Sequence, residues 1–160
     1  MKHSSLIWLV SFWFLLACQT EPLEVCNLQP EPLHATAAYP IGFAANPSLL
    51  TNDAAYRALA NIQFNSLTPE NHFKPAYLQP NPGEFDWKTA DQLILYAAQQ
   101  GKRVHGHTLL WHNQSPAWME TYTGSKEQWD SLLKIHVQTV VGHFQGKVSG
   151  WDVVNEAVDD

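Results

Sequence analysis

Cysteine is nearly absent from this chain. Of its 160 residues only Cys18 and Cys26 are cysteines, both near the N-terminus. Neither a disulfide framework nor a cysteine-built zinc site can therefore organise the rest. Charge is sparse too: 9 Lys and Arg stand against 15 Asp and Glu, for a net charge of -6. That balance offers no basic stripe for a phosphate backbone, so nucleic acid is excluded as the expected partner. No Gly-x-Gly-x-x-Gly follows the first strand-like run, which removes the main support for a dinucleotide-binding fold. What is there is apolar and aromatic, with 45% hydrophobic residues and seven tryptophans. That is enough for a core. Flat aromatic faces also suit sugar clefts, although any single Trp is more ordinarily core filling.

Lys2 and His3 precede an apolar run from Leu6 to Leu16, broken only by Ser11. The run is shorter than the about 20 residues a membrane-spanning helix needs, and it reads as a secretory signal. Its end, Leu15-Leu16-Ala17-Cys18, resembles a bacterial lipobox. Residues 1–17 are accordingly expected to be a lipoprotein-type signal peptide, with Cys18 as the lipidated first residue of the mature chain. The alternative is an ordinary signal peptide that happens to end near a cysteine. The expected location is export, to the bacterial outer membrane as a lipoprotein or otherwise secreted, with membrane contact only through Cys18. Residues 18–38 hold Pro22, Pro30 and Pro32 with little periodic pattern, and read as a flexible tether.

Residues 39–160 form the folded unit. Ile41–Ala45 reads as a first strand, and Thr51 or Asn52 as the cap of a helix through Tyr56, Leu59 and Ala60. Phe64–Leu67 is a second strand. Asp86 or Thr89 caps a helix whose apolar face is Ala90, Leu93, Ile94, Ala97 and Ala98, and Gly101 closes it. Val104–Trp111 is a third strand. Ser125 and Gln128 form a capping box for a third helix ending near Gly146. Val148–Val154 is a fourth strand, read as buried. Strands alternating with helices imply parallel strands and right-handed crossovers. The polar residues gather after the second, third and fourth strands, where a (β/α)8 barrel builds its site. The fold class is therefore α/β, the N-terminal half of a (β/α)8 TIM barrel with about four strands and three helices, since a full barrel takes about 250 residues.

Three clusters could carry chemistry. Glu70, Asn71 and Lys74 offer a carboxylate, an amide and an ammonium to several hydroxyls at once; the plainer reading is a solvated loop. His105 and His107, at i and i+2 on a strand, share one face. With a carboxylate they make a possible metal site, although a satisfied core histidine is the commoner case. Glu156, after Asn155, sits between Val154 and Ala157. Apolar neighbours raise a carboxyl pKa, as a general acid needs; the plainer reading is a structural carboxylate held by a Lys or Arg.

The three clusters taken in order resemble glycoside hydrolase family 10, the retaining endo-1,4-β-xylanases. The matching pieces are Glu70-Asn71-x-x-Lys74, Gly106-His107-Thr108-Leu109-Leu110-Trp111-His112 and Trp151-Asp152-Val153-Val154-Asn155-Glu156-Ala157. The resemblance implies a partial family 10 catalytic domain over 39–160, with xylan or xylo-oligosaccharide as partner and no cofactor or metal. Glu156 matches the general acid/base, and Asn155 the residue that contacts the sugar 2-hydroxyl and the nucleophile. Glu70, Asn71 and Lys74 match the clamp on the non-reducing side. His107 and Trp111 match the wall and floor beside the cleaved bond, and His112 belongs to the same motif. Pro75 stands where a Trp is usual, so one wall of the cleft is expected to differ. The family's nucleophile, a Glu on strand seven, is not among residues 1–160. The chain is thus expected to be an N-terminal fragment, inactive alone. Two alternatives are a non-catalytic xylan-binding surface lipoprotein and a metal-dependent barrel hydrolase using His105 and His107.

Overall fold

The computed structural model describes residues 31–158. The signal segment, the lipidation site at Cys18 and most of the expected tether lie outside the described residues. The first described helix, α1 (Leu33–Thr36), falls inside the segment 18–38 read as a tether. The Leu33 N–H donates to Gln63 Oε1 at 2.9 Å.

Strand β1 (Gly42–Ala45) pairs in parallel with β2 (Ser66–Pro69), and β2 pairs with β3 (Arg103–Val104). Strand β4 (Gly106–Trp111) pairs in parallel with β5 (Trp151–Asn155). The single third strand expected over Val104–Trp111 is thus divided at His105. The division marks a change of ladder partner. The His105 N–H donates to Leu67 O on β2 at 2.9 Å, whereas the Gly106 N–H donates to Gly150 O at 2.9 Å and Val104 O accepts from the Ser149 N–H. Read across, the order is β1, β2, β3 with β4, then β5, all parallel, as a barrel requires. Gly106 is fixed by its neighbour: a Cβ there would lie 2.2 Å from Trp151 Cε3.

The first connection holds two helices, not one. Helix α2 (Pro47–Asn52) is capped by Asn46, whose Oδ1 accepts from the Ser48 and Leu49 N–H groups. Helix α3 (Ala54–Gln63) is capped by Asp53 through the Ala55 and Tyr56 N–H groups. Thr51 and Asn52 cap nothing. Their side chains bond back to Pro47 O and Ser48 Oγ inside α2, the competing local bond open to such residues. After β2 come α4 (Pro75–Leu78) and α5 (Lys88–Gln99). Asp86 accepts from the Lys88 N–H at 2.9 Å, while Trp87 occupies the cap position without a side-chain bond and Thr89 lies within the helix. Gly101 has the expected left-handed conformation, φ 61°. After β4 come α6 (Ala117–Glu120) and α7 (Lys126–His143), the latter with the expected Ser125–Gln128 capping box.

The core lies between the strands and α3, α5 and α7. Leu67, Val104 and Leu109 pack with Ala60, Leu93, Ala97, Val140 and Phe144. Phe73, fully buried in the loop after β2, stacks on Phe144 with ring centres 4.6 Å apart and on Trp151 at 5.5 Å. Strand β5 is less covered than its sequence promises. Val153 and Val154 are 53% and 52% exposed, because among the described residues β5 pairs with β4 on one edge only.

Candidate active site

The loop after β2 is held from both sides. The Glu70 N–H donates to Ala45 O of β1 at 3.1 Å, and the Lys74 N–H closes a turn onto Asn71 O at 2.9 Å. Buried Phe73 and Pro75 anchor the loop beneath. Glu70 is exposed, and its carboxylate accepts from Asn46 Nδ2 at 2.9 Å. Asn71 Oδ1 accepts from Lys74 Nζ at 3.0 Å and from Gln114 Nε2 at 3.3 Å. Lys74 is only 8% exposed, and its ammonium lies 5.0 Å from the centre of the Trp111 ring. That is cation–π distance. Burial holds the Lys74 pKa below the ordinary lysine value, and the Glu70 charge offsets this only in part. Pro75 is fully buried at the start of α4. Pro is suited to that first helical position because it needs no N–H partner there.

The ends of β4 and β5 hold the second half. Their register sets His107 opposite Asp152 and Trp111 opposite Asn155. His107 Nδ1 meets Asp152 Oδ2 at 2.9 Å, and His105 Nε2 meets Asp152 Oδ1 at 3.0 Å. Burial alone would raise the Asp152 pKa. Hydrogen bonds from His107 and His105, and the charges of those rings, outweigh burial and hold it below the ordinary aspartate value. Glu156 follows β5 with a left-handed φ of 51°. The Trp111 Nε1–H donates to its Oε2 at 2.9 Å, and His112 Nε2 lies 3.7 Å from the same oxygen. The apolar surroundings expected for Glu156 are not what it has. Its side chain is 55% exposed, and two ring nitrogens face it in place of Val154 and Ala157.

Trp111 joins the two halves. One face of its indole meets the Lys74 ammonium and its N–H meets Glu156. The His107 ring centre lies 6.2 Å from that of Trp111. An open groove of about 660 Å³ runs from here, with Trp111, His112, Asn155 and Glu156 among its polar lining and Met119, Trp129 and Leu133 on its apolar side. The arrangement offers a carboxyl group beside an aromatic floor, with an ammonium and two amides within reach of hydroxyls. Sequence reasoning overlooked Asn46, which links Glu70 to the cap of α2, and Gln114, which holds Asn71. Asn46 carried a signal in the Asn-Pro pair that ends β1. Gln114 carried none. Asp152 was placed on the strand but not paired with the two histidines. Among the described residues no group of three or more His, Cys, Asp or Glu side chains is arranged to hold a metal ion. Each of His105 and His107 gives a ring nitrogen to Asp152 instead.

The sequence model of glycosyl hydrolase family 10 matches residues 32–160. A β-1,4-xylanase of Dictyoglomus thermophilum is 48% identical over 105 residues, which are 66% of this chain and 29% of that protein. Endo-1,4-β-xylanase B of Thermotoga neapolitana is 43% identical over 122 residues, 75% of this chain and 35% of that protein. The crystal structure of xylanase 10B from Thermotoga petrophila in complex with xylobiose superposes with a TM-score of 0.75 at 41% identity, covering 80% of this chain and 40% of that one. The chain thus spans about a third of the length of these two curated relatives. With a match that runs through both halves of the groove, the chain belongs to glycosyl hydrolase family 10.

Proposed function

We propose that the protein carrying this chain is an endo-1,4-β-xylanase that hydrolyses internal β-1,4-xylosidic bonds with retention. The observation that supports it most is the continuous contact from Lys74 through Trp111 to Glu156, which sets a proton donor beside an aromatic floor. Glu156 is the general acid/base. It gives its proton to the departing glycosidic oxygen as the C–O bond breaks. It then takes a proton from the water that releases the sugar from a covalent intermediate. That intermediate needs a second carboxylate about 5–5.5 Å away, which family resemblance assigns to a strand outside residues 1–160. Asn155 contacts the sugar 2-hydroxyl. Glu70, Asn71 and Lys74 clamp xylose units on the non-reducing side, and His107, Trp111 and His112 form the wall and floor. Xylobiose in the Thermotoga petrophila xylanase supports this choice of substrate.

The test is reducing-sugar release from xylan by the whole protein and its Glu156→Gln variant. The wild type is expected to release short oligosaccharides. The variant is expected to lose on the order of 10²–10⁴ in kcat, the usual contribution of a general acid/base. Xylo-oligosaccharide bound without turnover by the wild type would favour a non-catalytic glycan-binding protein instead. Export with a lipid on Cys18 is part of the proposal and rests on Leu15-Leu16-Ala17-Cys18. Labelled palmitate incorporated into the wild type but not into Cys18→Ser is the expected result, and labelling of neither, or equal labelling of both, would remove the anchor at Cys18.

A further inference from the structure

We propose that His105 is a positioning residue, which holds His107 in one ring orientation and one tautomer by way of Asp152. Residues at i and i+2 of an extended chain share a face, so His105 and His107 both approach Asp152, the register partner of His107 on β5. Each carboxylate oxygen takes one imidazole nitrogen, Oδ1 from His105 at 3.0 Å and Oδ2 from His107 at 2.9 Å. An ionised carboxylate only accepts, so both of those ring nitrogens carry hydrogen. His107 is thereby an Nδ1–H imidazole when neutral, and its Nε2 keeps a lone pair for a hydroxyl donor.

His105 supplies the second hold on the carboxylate. The terminal torsion of an aspartate is broad, and one hydrogen bond leaves the carboxylate plane free to turn. The strand gives no help with that plane, because the Thr108 hydroxyl bonds to the Asp152 main-chain oxygen at 2.8 Å and not to its carboxylate. Both side-chain bonds to the Asp152 carboxylate come from the two imidazoles. Remove His105, and the carboxylate turns toward water. His107 then loses the geometry that fixes its proton on Nδ1. The link from this device to turnover rests on the proposed xylanase reading; the positioning itself does not.

The experiment uses the whole protein labelled with ¹⁵N-histidine. Long-range ¹H–¹⁵N correlations of the His107 ring are recorded for wild type, His105→Gln, His105→Leu and Asp152→Asn. The wild type should show a single Nδ1–H tautomer. His105→Gln should keep it, since the glutamine Nε2–H reaches the place of the imidazole Nε2–H. His105→Leu should give a mixture of tautomers, and a KM for xylohexaose raised on the order of tenfold, the scale of one hydrogen bond less well held, while kcat changes less. Asp152→Asn, nearly isosteric, should give a mixed population even where the leucine variant does not fold. A His107 spectrum in His105→Leu or Asp152→Asn identical to the wild type would overturn the proposal, as would an Nε2–H tautomer in the wild type. If the ring signature responds as stated but the wild type does not hydrolyse xylan, the positioning stands and the xylanase reading falls.

Discussion

Lys74 and Lys102 are buried to the same degree, each 8% exposed. Loss of water holds both ammonium groups below the ordinary lysine pKa. They sit at opposite ends of the strands. Lys102 precedes β3, and its ammonium is given to the main-chain oxygens of Phe64 and Asn61, which it ties together beneath the sheet. Lys74 follows β2, where its partners are the Asn71 amide oxygen and the face of Trp111. Those partners are side chains with other surfaces open to a ligand. Burial of a cation therefore does not mark a site by itself. Its place at the C-terminal end of the strands does, together with partners that are not already committed to the backbone.

Substitution should separate the two lysines. The largest effect belongs to Lys74→Met, expected to lower kcat/KM on xylan on the order of 10–100-fold, as one charge-assisted hydrogen bond to substrate would. Its urea unfolding should stay near that of the wild type, because Asn71 Oδ1 still accepts from Gln114. Lys102→Met should do the reverse. It leaves two main-chain oxygens without their donor, at a cost of about 2–3 kcal/mol, while the folded fraction keeps its kcat/KM. Equal kinetic losses in both variants would break the comparison.

A third buried basic side chain sharpens it through pH. His136 is 1% exposed, with Nδ1 on Gln79 Oε1 at 2.7 Å and Nε2 on Leu109 O at 3.0 Å. Burial lowers its pKa from 6.5, and the bond to Leu109 O offsets this only in part. A base whose folded pKa is depressed adds stability that is whole above its unfolded value. That stability is lost as pH drops below 6.5 toward the folded value. Stability should decline there by at most about 1.4 kcal/mol per pH unit for this one proton, and His136→Gln should flatten the decline.

Much of this was legible in the sequence, and the failures have physical causes. The Ser125–Gln128 box and Gly101 are local devices, and they hold locally. Glu70, Asn71 and Lys74 follow β2 and Glu156 follows β5, which brings both clusters to one end of the strands, while His107 lies within β4. What failed depended on competition or on neighbours distant in sequence. Thr51 and Asn52 are good caps in principle, but Asn46 and Asp53 stand nearer the true helix starts, and the loser bonds within its own helix. The surroundings of Glu156 were read from its flanking residues. Its actual partners, Trp111 and His112, are 45 and 44 positions away and reach it through the pairing of β4 with β5. Asp152 is the same lesson, since strand register, invisible in one sequence, sets it against His107.

Whether Glu156 is the group that protonates the leaving oxygen is tested most directly by comparing Glu156→Ala with wild type in the whole protein, on xylan and on an aryl β-xylobioside whose phenol leaves without protonation. In the variant, kcat/KM on xylan is expected to fall on the order of 10²–10⁴. Bond cleavage in the aryl substrate should fall by less than about tenfold, since that step needs no acid. Equal losses on the two substrates, or no loss on xylan, would contradict it.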